Sequence, residues 1–200
     1  MATNYKLGQG QSSELIDKVL GELNDALMGR LGWLDYAYER AERTVKIVNG
    51  KRIYTPCFYR KGNDYIDLSP DSNVGNVVWY WIDDPQEIKM EPYLQIGIKT
   101  RFAQIFWWDF RTVYNFTNHN KEQIKADILH ELNTITLNSG TVSIDRAYDL
   151  AENIFRGFSL DEVDNQFLMH PYGGIRFEGW LTVHESCSII QDNSTTTTTL

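Results

Sequence analysis

The stretch RFAQIFWWDFR, residues 101–111, determines the fold class more clearly than any other segment of the chain. Successive side chains of a β-strand point to opposite faces of the sheet. One face of such a strand would carry Phe102, Phe106, Trp108 and Phe110, and the other would carry Ala103, Ile105 and Trp107. Neither face is polar, so the stretch predicts a strand in a sheet that is covered by protein on both sides.

The overall composition is that of a globular protein rich in aromatic residues. The 200 residues are 42% hydrophobic and 23% charged, and 13% are aromatic. This length suits one domain with a sizeable core. The formal net charge of -8 and the lack of a basic tract disfavour a protein that grips nucleic acid phosphates. No signal peptide or run of about 18 apolar residues is present, so we expect a soluble protein without a membrane span.

Helical spacing of apolar residues predicts several helices. Ser12 or Ser13 is a candidate cap for a helix that extends to Leu27, and residues 34–48 could continue as a second helical piece up to the turn dipeptide Asn49-Gly50. Further helices are predicted over 120–133, with Asn120 and Gln123 at capping-box spacing, and over 143–157.

Between and after these helices, the pattern changes to strands. The sequence predicts one antiparallel sheet that includes residues 52–58, 77–82, 102–110 and 175–186, with the helices packed on one face. The expected fold class is α+β: an N-terminal helix, an antiparallel meander, two further helices and a returning strand.

The ends of the chain differ in composition from its centre. Residues 1–11 are predicted to be an extended leader, 12–188 a single α+β domain, and 189–200 an extended threonine-rich tail. A threonine run buries too little surface to offset its chain entropy, so we expect an ordered tail to be held by other chains.

One enzymatic interpretation rests on a loose motif. Pro70-Asp71, followed later by Glu87-Ile88-Lys89, is similar to the signature of metal-dependent nucleases, in which two carboxylates hold Mg²⁺ and a lysine assists the attacking water. Asp71, Glu87 and Lys89 would be the catalytic group. The chemistry requires a rigid, buried strand, whereas this Glu-Ile-Lys segment lies between Pro85 and Pro92, which favour a loop or a sheet edge.

Other chemical sites have weaker support. His184 and Cys187 have metal-ligand spacing, and Cys57 would add a third ligand only if its strand lay beside the last one. Two distant cysteines do not make a disulfide framework, and Gly173-Gly174 precedes a strand instead of the helix that a phosphate loop needs. The sequence therefore predicts no enzyme, no metal and no cofactor.

Four stretches carry a resemblance to a known group of proteins. These are GWLDYAYERAERTVK, KRIYTPCFYRKGNDYIDLSPD, IFWWDFRTVY and VDNQFLMHPYGGIRFEGWLTVHESC. They resemble structural proteins of Bacteroides phages and prophages, the crAss-like group among them. The order of predicted elements is similar to that of tail terminators and head-to-tail joining proteins, and the resemblance covers most of residues 31–187.

The resemblance implies a structural protein of the virion neck, assembled in the host bacterial cytoplasm. Its partners would be itself, in a sixfold or twelvefold ring, and the portal, adjacent ring proteins and tail proteins, with packaged DNA passing through unbound. A neighbouring subunit would then cover the second face of the strand at 101–111. The expected interface residues are Phe106, Trp107, Trp108, Phe110, Thr195, Thr196, Thr197 and Thr198. A capsid-side adaptor or cargo protein differs from this only in location.

Overall fold

The structure is a computed structural model that describes residues 5–6, 14–60, 64–91, 95–113 and 120–186. Within these residues the chain forms ten strands, three α-helices and one 3-10 helix. The strands are β1 (Tyr5–Lys6), β2 (Tyr36–Arg40), β3 (Glu42–Val48), β4 (Lys51–Arg60), β5 (Asp64–Asp67), β6 (Val77–Trp81), β7 (Glu87–Glu91), β8 (Gln95–Asp109), β9 (Gly140–Tyr148) and β10 (Tyr172–Ser186). The helices are α1 (Leu15–Arg30), α2 (Lys121–Thr134), α3 (Ala151–Ile154) and the 3-10 helix Asn165–Leu168.

The strands form two sheets. The main sheet has the order β1-β2-β6-β8-β10-β9, and β7 also pairs with the start of β8. The pairs β1-β2 and β2-β6 are parallel, and all others in this sheet are antiparallel. The second sheet is the antiparallel meander β3-β4-β5. The protein is therefore a mixed α/β structure made mostly of strands.

Two apolar cores flank the main sheet, as the sequence of β8 requires. The first core joins α1 and α2 to the face that carries Phe102, Phe106 and Trp108. The second joins the face of Ile105 and Trp107 to side chains from β4, α3 and the segment before β10. The sequence prediction that adjacent Trp107 and Trp108 point to opposite faces is confirmed.

Two helical predictions are wrong. Residues 36–48 form β2 and β3 instead of a second helix, although their turn at Asn49-Gly50 is present with positive φ at both residues. Residues 140–148 form β9, and only Ala151–Ile154 of the predicted helix 143–157 is helical. In contrast, α2 begins as predicted, because the Asn120 side chain accepts the Gln123 backbone N–H. The candidate caps Ser12 and Ser13 lie outside the described residues.

The predicted sheet also needs correction. Residues 77–81, 102–109 and 175–186 do share the main sheet, but 52–58 belong to β4 of the separate meander. The helices do not all lie on one face, because α3 packs in the second core. Two residues of the predicted leader, Tyr5–Lys6, form β1 beside β2.

Candidate interaction surfaces

The four aromatic residues expected at a subunit boundary are buried within the chain itself. Phe106, Trp107, Trp108 and Phe110 have exposed fractions of 0%, 4%, 0% and 5%. Trp107 packs edge-on against Phe155 and stacks on Tyr172, so the chain covers its own second face. The expectation that a neighbour must cover this face is therefore wrong. The other expected interface residues, Thr195, Thr196, Thr197 and Thr198, lie outside the described residues.

The nuclease motif is divided between a turn and an edge strand. An Asp71 carboxylate oxygen accepts the backbone N–H groups of Asn73 and Val74 at 2.7 and 2.8 Å, which is the geometry of a capped turn. Glu87 and Lys89 lie on β7 and are exposed, and Glu87 pairs with Lys99.

The strand register separates the two halves of this motif. The strand after the Asp71 turn, β6, begins opposite Trp107, eight residues further along β8 than Lys99. At about 3.3 Å per residue this separation is roughly 26 Å. Throughout the described ranges, no three His, Cys, Asp or Glu side chains are grouped in a way that could hold a metal ion.

The conditional site of Cys57, His184 and Cys187 lacks its required strand order. Cys57 is buried in β4, with its Sγ 3.2 Å from Thr44 Oγ1, whereas His184 is exposed on β10 of the other sheet. Because β4 does not pair with β10, the condition for a third ligand fails. Cys187 lies outside the described residues.

A buried charge cluster was missed by the sequence analysis. Arg176 and Glu178 alternate with apolar residues along β10, as solvent-facing side chains do, but both are buried, and Arg176 Nε donates to Glu178 Oε1 at 2.8 Å. Arg156, which is half exposed, donates to the same carboxylate oxygen at 2.6 Å. Burial lowers the pKa of Arg176, and the nearby Glu178 carboxylate opposes this shift.

This cluster lies beside a cleft of about 160 Å³ on the second face of the main sheet. Trp81, Arg101 and the acidic pair Asp83-Asp84 also line this cleft. Arg176 also donates to the backbone carbonyls of Ile154 and Arg156, which fixes the end of α3 to β10. The buried charges therefore link the end of α3 to β10. They form ion pairs with each other and do not point toward a ligand.

Two edge strands, β7 and β3, carry exposed apolar side chains. Ile88 and Met90 of β7 are 63% and 85% exposed. Val45 and Ile47 of β3 are 53% and 75% exposed. In the described chain β7 pairs only with β8, and β3 only with β4, so each has one open edge. Open edges with apolar side chains readily add another strand.

An apolar groove lies beside β9, the last strand in the order of the main sheet. It runs between α2 and β9, has a volume of about 620 Å³, and is open to solvent. Its apolar lining comes from Ala126, Leu129, Leu132, Val142 and Ile144. His130, Asn133 and Ser143 add polar groups. No sequence signal identified this groove, because residues 143–157 were predicted to be helical.

Comparison with known proteins does not identify a function, so the described surfaces are the basis for proposing one. No protein-family model matches the chain, and no curated protein matches it. None of the helices in the described residues is long and apolar enough to cross a membrane.

Proposed function

We propose that the chain is a non-enzymatic structural protein of a tailed-phage virion. It forms a homo-oligomeric ring in the head-to-tail connector, between portal and tail. The carrying observation is that the three most exposed large apolar side chains of the described residues, Met90, Ile47 and Ile88, lie on the open strand edges of β7 and β3. The sequence resemblance to phage neck proteins supports the same assignment.

Open apolar edges favour a protein that assembles. A monomer normally blunts its sheet edges with charges, prolines or covering loops, because unpaired backbone groups recruit other strands. Met90 and Ile47 are among the exposed side chains at such edges here, and their contact with water is unfavourable unless a partner covers them.

The cleft on the second face does not favour catalysis. An active site usually combines a concave pocket with polar groups that converge on a substrate. In the described cleft, Glu178 accepts from both Arg156 and Arg176, and Arg101 forms an ion pair with Asp145. These charges are thus already paired within the protein.

The charge of the chain suits a channel for DNA. A net charge of -8 repels the phosphate backbone, so packaged DNA would pass through an acidic lumen without specific binding. The proposed partners are further copies of the chain, the portal, adjacent ring proteins and tail proteins.

The test is whether the protein forms rings and occupies the virion neck. Full-length protein is examined by light scattering after gel filtration and by negative-stain electron microscopy, and virions are labelled with a gold-conjugated antibody against the chain. We expect ring-shaped class averages and label at the head-to-tail junction. A protein that stays monomeric at all concentrations and is absent from virions would contradict the proposal.

A nuclease assay tests the alternative activity. Supercoiled plasmid is incubated with purified protein and Mg²⁺, and Glu87→Ala is compared with Glu122→Ala on the exposed surface of α2. We expect no cutting by any of these proteins. Cutting that Glu87→Ala alone abolishes would replace the structural role with the nuclease.

A further inference from the structure

We propose that β7 of one copy pairs antiparallel with β9 of the next copy, and that Ile88 and Met90 enter the groove between α2 and β9. This inference rests on the proposed ring, and it identifies the contact that builds it. The occupant of the groove is therefore a second copy of the same chain.

The two strands form complementary edges of one sheet. Within the described chain, β7 pairs only with β8 and β9 pairs only with β10, and β8 and β10 lie between them. Because β7 and β9 each have an open edge, one subunit can contact one neighbour through β7 and another neighbour through β9. This is a head-to-tail contact. Such heterologous contacts generate a ring when the rotation closes.

The side-chain faces match. Ile88 pairs with Ile98 and Met90 with Ile96, which places both β7 residues on the face covered by α1 and α2. On β9, Val142 pairs with Leu181 of the first core, so Val142 faces the same side. A sheet continued from β9 to a neighbour's β7 would bring the apolar residues of both strands together on this side.

Strand direction is also compatible. Each of the pairs β7-β8, β8-β10 and β10-β9 is antiparallel, so β7 runs antiparallel to β9 within one subunit. Rotation about an axis that runs along the strands preserves strand direction. The neighbour's β7 would thus meet β9 in the antiparallel sense.

The register that matches the apolar residues also matches charge. With Ile88 opposite Ile144 and Met90 opposite Val142, Glu87 lies opposite Arg146, because the β9 bulge leaves Asp145 as the extra residue. Glu87 and Arg146 are both exposed and have opposite charges. Exposed opposite charges at this position favour the register and orientation of the contact.

A disulfide experiment tests the contact directly. Met90→Cys and Val142→Cys are combined in one full-length chain that also carries Cys187→Ser, and assembled protein is oxidised and run on a non-reducing gel. We expect a ladder of linked subunits up to the closed ring. Each single-cysteine variant in the same background should give no ladder, because a lone introduced thiol cannot link successive subunits.

A charge substitution provides an independent measurement. Met90→Asp should weaken assembly at least about tenfold in apparent Kd while the monomer keeps the wild-type circular dichroism spectrum and Tm. Met169→Asp, at an exposed methionine that lies on neither open strand edge, is the matched control and should leave assembly unchanged. Ile47→Asp, on the open edge of β3, is measured in parallel. Weakening by Ile47→Asp alone would instead assign the contact to β3 and overturn the inference.

The outcomes distinguish failure of the β7-β9 contact from failure of the proposed ring function. Rings that persist with Met90→Asp and give no ladder would overturn the β7-β9 contact but leave the proposed function intact. Absence of rings from wild-type protein and of the chain from virions would remove both.

Discussion

Gly174 of β10 lies directly opposite Trp107 of β8, and the indole ring occupies the space next to the glycine where a side chain would start. A β-carbon on Gly174 would lie 2.8 Å from Trp107 Cε3 and 2.8 Å from the Phe106 carbonyl oxygen. The absence of a side chain thus lets a large aromatic ring pack across the neighbouring strand. The glycine serves packing, not phosphate binding.

Gly174→Ala should therefore destabilise the protein. The added methyl group meets both a backbone oxygen and a buried ring, and overpacking of this kind typically costs about 1–3 kcal/mol. Urea unfolding followed by tryptophan fluorescence measures the loss. The matched control is Gly29→Ala in α1, where no heavy atom outside the helix lies within 4 Å of the new β-carbon. That change should raise stability by about 0.5–1 kcal/mol, because alanine favours the helix. Equal effects of the two substitutions would contradict the packing argument.

The sequence predicts the central strand β8 correctly but misassigns segments elsewhere in the chain. The apolar residues of β8 alternate over both faces, so a strand covered on two sides followed directly from their period. Residues 34–48 were misassigned because Leu34, Ala37, Tyr38 and Ala41 have helical spacing. In the structure these residues are divided between the two cores, since the chain here is buried on both faces and no polar alternation marks the strand.

The candidate surfaces depend on tertiary relationships that local patterns do not encode. Arg176 and Glu178 alternate with apolar residues as solvent-facing side chains would, and only the packing of α3 and Arg156 over them makes them buried. The exposure of Ile88 and Met90 depends on which strands pair with β7. Neither relationship can be predicted from the spacing of residues along the chain.

Loss of the Glu178 charge should have a large effect on stability. Glu178→Gln leaves the buried Arg176 guanidinium without a carboxylate, and an uncompensated buried charge of this kind costs about 3–5 kcal/mol. Chemical denaturation of the variant and wild type measures the difference. Glu122→Gln breaks the exposed ion pair with Lys125 and should cost less than about 1 kcal/mol. A small effect of Glu178→Gln would mean that Arg176 is satisfied by its carbonyl acceptors alone.

Tyr80→Phe should lower stability through a buried hydrogen-bond network. The Tyr80 hydroxyl donates to Asn24 Oδ1 at 2.9 Å and accepts from Gln104 Nε2 at 3.2 Å, and all three residues are fully buried. Removing the hydroxyl leaves two polar groups unpaired, at about 1–3 kcal/mol for each buried group. Tyr65→Phe on β5 is the control, because the Tyr65 side chain is exposed and should lose almost nothing. Thermal unfolding of both variants decides the comparison; a Tyr80→Phe protein as stable as Tyr65→Phe would show that the network contributes no net stability.

Glu22 should make the position of β9 sensitive to acid. Its carboxylate accepts the Ser139 hydroxyl and the backbone N–H groups of Asn138 and Ser139, and so connects α1 to the residues just before β9. Burial raises the pKa of Glu22, but the hydrogen bonds from Ser139 and Asn138 outweigh it and lower the pKa below the ordinary value of 4.5.

The sign of the stability change follows from that direction. A carboxyl group whose pKa is lower in the folded state stabilises the fold above its unfolded pKa, and this contribution is lost as the pH falls through the folded value. The stability of wild type should therefore decrease below about pH 4.5, and Glu22→Gln should show a weaker decrease over the same range. Urea midpoints measured between neutral and acidic pH test this, with Asp127→Asn in α2, a carboxylate that does not contact the residues before β9, as a control for general acid effects. Because β9 forms one wall of the groove that would receive Met90, the same variant should also make ring assembly less dependent on acid. Identical pH profiles for wild type and Glu22→Gln would show that these hydrogen bonds do not couple protonation to folding.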